Sequence, residues 1–306
     1  MITLNNSIIE SLKQQAKIAK KQHVTVFDSR RKYEEYSDCK TCHGTLYDED
    51  GNPCTCYYDK LKSSFQQYIG YGSKYYNVNL DFYEQYFPDA RYSFQKGLSG
   101  EKKSRSTKFL IKFVNNYLKT FNNFTSDGSA SLFIHGGCGT GKTGLSVYML
   151  QQVAFVNYGE TLNLSPQSKE FVKQTCYFSR ALKLLDTIRA SYGDNKLTNS
   201  VRNQINRMKY VKLLVIDDFL AGYTKSIDWA MAIFLDVIKE RIELNLPTVI
   251  TSNIDVETIL SKFEESDNAK RLISLFEQDF IIIGIRSEID VRQLLNNKSI
   301  DNLLGE

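Results

Sequence analysis

The sequence predicts an α/β protein: a parallel sheet covered on both faces by helices, preceded by a small cysteine-bearing module. Three observations predict it. From residue 131 onward, short apolar runs without polar alternation take turns with longer stretches of helical period, the pattern of strands buried on both faces. One strand–helix junction among them carries the octet Gly136-Gly-Cys-Gly-Thr-Gly-Lys-Thr143. And four of the six cysteines stand between Cys39 and Cys56, a density that points to metal and not to scattered thiols.

The 306 residues suffice for one large domain and a smaller module. The start of the chain lacks the basic, apolar and small-residue succession of a secretory leader. No stretch is long and apolar enough to cross a bilayer. The expectation is a cytoplasmic protein without membrane contact, in which cysteines do not form a disulfide framework. The net charge of +4 is unevenly placed, with a surplus of six positive charges up to Thr120 and a deficit of two beyond it. A basic front half suits a nucleic-acid or acidic-protein contact, or simply a solvated face.

Taken in order, residues 5–22 read as a helix, with Ile8, Ile9, Leu12, Ala16 and Ala19 at helical spacing. The cysteine cluster follows, with a strong turn over 48–53 in its middle. An aromatic-rich stretch from Phe65 to Phe94 then packs as a linker or offers rings for stacking on bases. Residues 97–108 are polar and basic, and 106–122 look helical. The organisation expected is 1–62 for the N-terminal helix and metal module, 63–104 for the linker and 105–306 for the α/β domain. Within that domain the predicted strands are 131–135, 176–179, 211–216, 248–252 and 280–285. The predicted helices are 143–157, 181–192, 227–244 and 259–276.

The octet is a phosphate cradle. Gly136, Gly139 and Gly141 let the backbone turn its N–H groups toward an anion, and Gly137, Cys138, Thr140 and Gly144 complete the loop and its exit. Lys142 supplies a positive charge to the β- and γ-phosphates, the Thr143 hydroxyl suits Mg²⁺, and the helix starting there turns its positive end to the ligand. Downstream, Leu213-Leu-Val-Ile-Asp-Asp218 is an apolar strand ending in two carboxylates. Asp217 would hold Mg²⁺, and Asp218 would orient and deprotonate an attacking water. The run Thr248-Val-Ile-Thr-Ser-Asn253 ends a buried strand in a polar cluster. Asn253 there can sense the γ-phosphate or the water, from a strand lying between the other two. Cradle, paired Asp and this sensor, in this order, indicate the additional-strand, AAA+ class of ATPases, with ATP and Mg²⁺ as cofactors.

Such sites at subunit interfaces use an arginine from the neighbour. Arg271 is the candidate, with Arg286 and Arg292 as alternatives acting in cis; Arg241 fits structure or an interface. Cys39-x-x-Cys42 and Cys54-x-Cys56 form two knuckles suited to tetrahedral, structural Zn²⁺, with His43 an alternative ligand.

With these motifs in hand, the chain resembles the replicative-helicase loaders of the DnaC/DnaI type and the related IstB-type transposition helpers. The resemblance rests on Leu132–Thr143, Leu214–Phe219, Pro247–Asn253 and the segment Tyr177–Leu185, and spans roughly 105–295. It extends loosely to the cysteine module. It implies an AAA+ core that binds single-stranded DNA, a homo-oligomer with ATP at subunit interfaces, and an N-terminal module that grips a ring-shaped replicative helicase. The sequence departs from the family at Ser274 and Leu275, where a second arginine often stands. Two other readings share the same site: an IstB-type helper on duplex DNA, and an adaptor switched by ATP and ADP with little turnover.

Overall fold

Five apolar runs become one parallel sheet because each is too short and too uniformly apolar to be anything but a strand covered on both faces. The computed structural model describes residues 34–50, 54–57, 59–60, 66, 69–72, 75, 78–121, 130–159, 175–220 and 227–293. The helix expected over 5–22 lies outside the described residues.

The strands are β1 (Arg91–Lys96), β2 (Lys103–Arg105), β3 (Ser131–Gly136), β4 (Cys176–Arg180), β5 (Leu213–Asp217), β6 (Thr248–Ser252) and β7 (Phe280–Arg286). The helices are α1 (Asp81–Tyr86), α2 (Thr107–Thr120), α3 (Lys142–Gly159), α4 (Ala181–Ala190), α5 (Asn195–Tyr210), α6 (Ile227–Glu243), α7 (Val256–Lys262) and α8 (Asp267–Asp279). The seven strands lie in the order β2-β1-β7-β3-β6-β5-β4. Pairing is parallel from β7 to β4 and antiparallel at β1. β6 thus stands between β3, which leads into the octet, and β5, which ends in the paired Asp. This is the inserted strand expected of an AAA+ core.

Alternate residues of each strand feed two cores. Leu132 and Ile134, Leu213 and Val215, Val249, and Ile283 and Ile285 face α1, α2 and α3. Phe133, Leu214 and Ile216, Ile250, and Phe280 and Ile282 face α4, α5, α6, α7 and α8. The first core continues into the cysteine module through Leu46, Tyr57, Ile69 and Tyr71. Among the described residues, no helix is long and apolar enough to cross a membrane.

Three differences from the sequence reading matter. Part of the stretch read as linker belongs to the sheet: β1 pairs with β7 from Arg91↔Arg286 to Lys96↔Ile281, and β2 closes that edge. α5 was not foreseen. It buries only Val201 and Met208, so its apolar stripe is too thin to register against its many Asn and Lys residues. The single helix expected over 259–276 is two, divided before Ser266, whose hydroxyl accepts from Ala269 N and caps α8.

Candidate functional site

β3 delivers the chain to the octet with its last residues at the sheet's C-terminal edge, where open α/β sheets bind ligands. Gly136, Gly139 and Gly141 have φ of 156°, 69° and 85°, a region costly to residues with a Cβ. Space is short too: a Cβ at Gly136 would sit 2.5 Å from the Ile285 carbonyl oxygen, and one at Gly141 2.9 Å from the Tyr83 ring. Gly137 and Cys138 form the exposed crest, while Thr140 is buried and its hydroxyl donates to Gly137 O at 2.9 Å. α3 begins at Lys142, and its first amide turn faces the loop. The Lys142 ammonium, 5% exposed, donates to the Gly136 and Gly137 carbonyls at 2.8 and 2.6 Å. Burial pulls its pKa down, and the charges of Cys138, Asp218 and Asp217 pull it back up. A buried cation at the start of a helix, held only by two loop carbonyls, is a site that fits an anion.

Beside it, the Thr143 hydroxyl donates to Asp217 Oδ1 at 2.8 Å. Asp217 is 1% exposed and accepts a second hydroxyl, that of Thr251, at 2.7 Å. Burial pushes its carboxyl above the usual carboxylate range, with the neighbouring Asp218 charge adding to this and the two threonines and Arg180 opposing it. A buried carboxylate gathered with a hydroxyl next to a phosphate cradle is the donor set that suits Mg²⁺.

Thr251 also shapes Asp218. Its hydroxyl accepts from Asp218 N at 3.1 Å, and its carbonyl accepts from Phe219 N at 2.8 Å. Asp218 takes φ 53°, a left-handed conformation that Asp tolerates better than most residues. The side chain is half-buried at the sheet edge. Asn253 is exposed one residue beyond β6, on the same edge as Asp217 and Asp218.

Thr251 and Arg180 were missed by sequence reasoning. Thr251 looks like an ordinary β-branched strand residue, and only the β5–β6 pairing puts it on Asp217. Arg180 ends β4 in register with Asp217, and nothing in its local sequence signals that.

The arginines separate. Arg292 lies at the octet: Val291 N donates to Gly139 O at 3.2 Å, and Arg292 engages Asp290 through Nε at 3.2 Å and Nη2 at 3.0 Å. Its pKa is raised by Asp290 first and by Cys138 second. Arg286 ends β7 and lines a cavity of about 620 Å³ that reaches from Gly137 between Asp89–Arg91 and Ile285–Ile289. That volume suits a nucleoside beside its phosphates. Arg271 is exposed on α8, where its charge acts on Asp228. Arg241 is wholly buried; it donates to Met208 O, Val211 O and Pro247 O at 2.8, 2.8 and 2.6 Å and to Thr248 Oγ1 at 2.8 Å. It is a structural tie, far from ligand chemistry.

In the N-terminal module, the sulfurs of Cys39, Cys42, Cys54 and Cys56 all lie within 4.8 Å of one another. Cys39 Sγ and Cys54 Sγ are 3.7 Å apart, and four thiolates on one Zn²⁺ at ~2.3 Å would stand about 3.8 Å apart. Backbone N–H groups of Cys42 and Thr41 hold the Cys39 thiol down to about 6. Burial pushes Cys42 and Cys56 up, and a bound cation would favour their thiolates. His43 is exposed and stands outside the four.

No known family profile and no curated protein matches the chain. Among solved structures it is similar to DnaI, at 20% identity over 59% of this chain and 83% of that one, with a TM-score of 0.41. It is similar to the DnaC helicase loader at 17% identity over 69% and 99%, with a TM-score of 0.42. It is also similar to domain III of the Thermotoga maritima replication initiation protein DnaA, at 21% identity over 57% and 62%, with a TM-score of 0.40. The DnaC/DnaI type of loader, which the motifs of this sequence resemble, thus stands among the similar structures. At this identity the likeness is one of fold.

Proposed function

We propose that this chain is a Mg²⁺-dependent ATPase that loads a ring-shaped replicative helicase onto single-stranded DNA. The observation that carries the ATPase part is the convergence of Lys142, Thr143, Asp217 and Thr251 at one sheet edge, with Thr143 Oγ1 and Asp217 Oδ1 2.8 Å apart. The octet binds the phosphates by its amides and Lys142. Mg²⁺, when bound by Thr143 and Asp217, supplies charge neutralisation to the β- and γ-oxygens. Asp218 accepts a proton from the attacking water, and Asn253 orients that water or the γ-phosphate. Arg292, already at the octet, acts in cis. Arg271, exposed on α8, would act on the ATP of a neighbouring copy, with ATP at subunit interfaces of a homo-oligomer.

The loader part rests on the motif resemblance, the cysteine module and the charge of the β1–β2–α2 region. Between Arg91 and Phe121 the only acidic residue is Glu101. Lys103, Arg105, Lys108 and Lys112 are exposed there, beside Phe94 and Phe109. Basic side chains interleaved with rings suit a single strand. Zn²⁺ held by the four cysteines stiffens the module that would grip the helicase.

The test is loading of a hexameric replicative helicase onto single-stranded DNA circles. With this protein and ATP, ring-bound DNA should accumulate. Absence of both helicase binding and any change in loading would overturn the loader reading. Preference for duplex DNA would favour the transposition-helper reading in its place.

A further inference from the structure

The octet is also held by a helix that precedes every strand of the sheet in the chain. α1 belongs to the segment that precedes the core, yet its Tyr83 is fully buried against the loop. The Tyr83 hydroxyl donates to the Gly141 carbonyl at 2.6 Å. The same carbonyl accepts the first helical bond of α3, from Leu145 N at 2.9 Å, so both of its lone pairs are used. Tyr83 Cε1 lies 2.9 Å from where a Gly141 Cβ would be, and its hydroxyl 3.3 Å from where a Gly144 Cβ would be. The ring is wedged by Phe82 and Phe87, at centroid distances of 5.6 and 5.9 Å. Burial raises the phenol's pKa well above its ordinary value.

A trans peptide fixes the consequence. The Gly141 C=O and the Lys142 N–H share one plane and point in opposite directions. Gly141 sits at φ 85°, where glycine has wide freedom and the plane could otherwise rotate. A second donor on the outer side of the carbonyl stops that rotation and keeps the Lys142 N–H aimed into the cradle. Amides of this loop contact the phosphates shared by ATP and ADP.

The geometry points to Tyr83 as a positioning residue for nucleotide binding: from α1, its hydroxyl orients the Gly141–Lys142 peptide so that the Lys142 amide faces the phosphates. This rests on the ATP-binding reading of the octet. Because Tyr83 packs in the same core as Leu46 and Tyr57 of the cysteine module, the module and the loop share one support.

The test compares wild type, Tyr83→Phe and Ile188→Ala as full-length protein. Fluorescent ATP and ADP titrations are combined with steady-state hydrolysis and thermal melting. Tyr83→Phe loses one oxygen, while Gly141 keeps its bond from Leu145. It should fold, weaken ATP and ADP by the same factor, on the order of fivefold as for one neutral hydrogen bond, and raise KM with kcat within about twofold of wild type, since the lost contact is made equally before and during reaction. Ile188→Ala, buried in the opposite core, should lower the melting temperature and leave both affinities in place. Unchanged ATP and ADP affinity in Tyr83→Phe overturns the assignment. So does a Tyr83→Phe protein that no longer folds, because the hydroxyl would then serve stability and not the loop. A wild type that binds neither nucleotide fails the ATP reading itself, a result distinct from these.

Discussion

At the scale of single residues, two side chains look alike in sequence and do opposite work. Lys142 and Arg241 are both buried cations without a carboxylate in direct contact. Lys142 is satisfied by two carbonyls of a loop built to take an anion, and an incoming phosphate can replace them. Arg241 spends its guanidinium on the end of α5, the link from it into β5 and the start of β6, and has nothing to exchange. Arg241→Leu would orphan several buried acceptors at once. It should cost about 3 kcal/mol and lower the melting temperature by about 10 °C, with ATP affinity per folded molecule unchanged. A melting curve superimposable on wild type would show that the buried network contributes nothing. The octet and Asp217-Asp218 were legible because their residue types have few other uses after an apolar strand. Thr251 was not, because its role arises from register: β5 and β6 pair Ile216 with Ile250, and the next residues along, Asp217 and Thr251, then meet.

Among the elements, strands buried on both faces were legible to within a residue or two, since apolar runs of five cannot be mistaken for surface. β1 was not. Arg-Tyr-Ser-Phe-Gln-Lys buries only Tyr92 and Gln95 fully, and lies in an aromatic-rich stretch that gives no alternation to read. Its pairing with β7 makes the basic segment an ordered edge. Lys103 and Arg105 pair with Phe94 and Tyr92 and so share their face, Arg105 covers the Phe109 ring at 5.1 Å, and Lys108 and Lys112 follow along α2. If this edge takes single-stranded DNA, the triple change Lys103→Glu, Lys108→Glu and Lys112→Glu should weaken binding. The slope of log affinity against log salt should fall by about 2. Equal affinity and slope in fluorescence anisotropy would make the lysines ordinary solvated surface.

Across the whole molecule, the cysteine module and the α/β core are joined through one apolar layer, and Zn²⁺ would stabilise the first without touching the chemistry of the second. One zinc per chain should be found by elemental analysis, and Cys54→Ser should lose it. ATP hydrolysis in that variant should persist, while helicase capture falls; a full zinc complement in Cys54→Ser would contradict the four-sulfur site.

The claim on which the rest depends is water-driven ATP hydrolysis at the edge shared by β3, β5 and β6. Phosphate release with Mg²⁺ and single-stranded DNA, compared between wild type and Asp218→Asn, tests it most directly. The predicted result is turnover by wild type and a fall of about 10²- to 10³-fold in Asp218→Asn, with ATP still bound. A wild type that binds ATP but releases no phosphate, even with DNA and helicase present, would contradict it and leave a nucleotide-switched adaptor in its place.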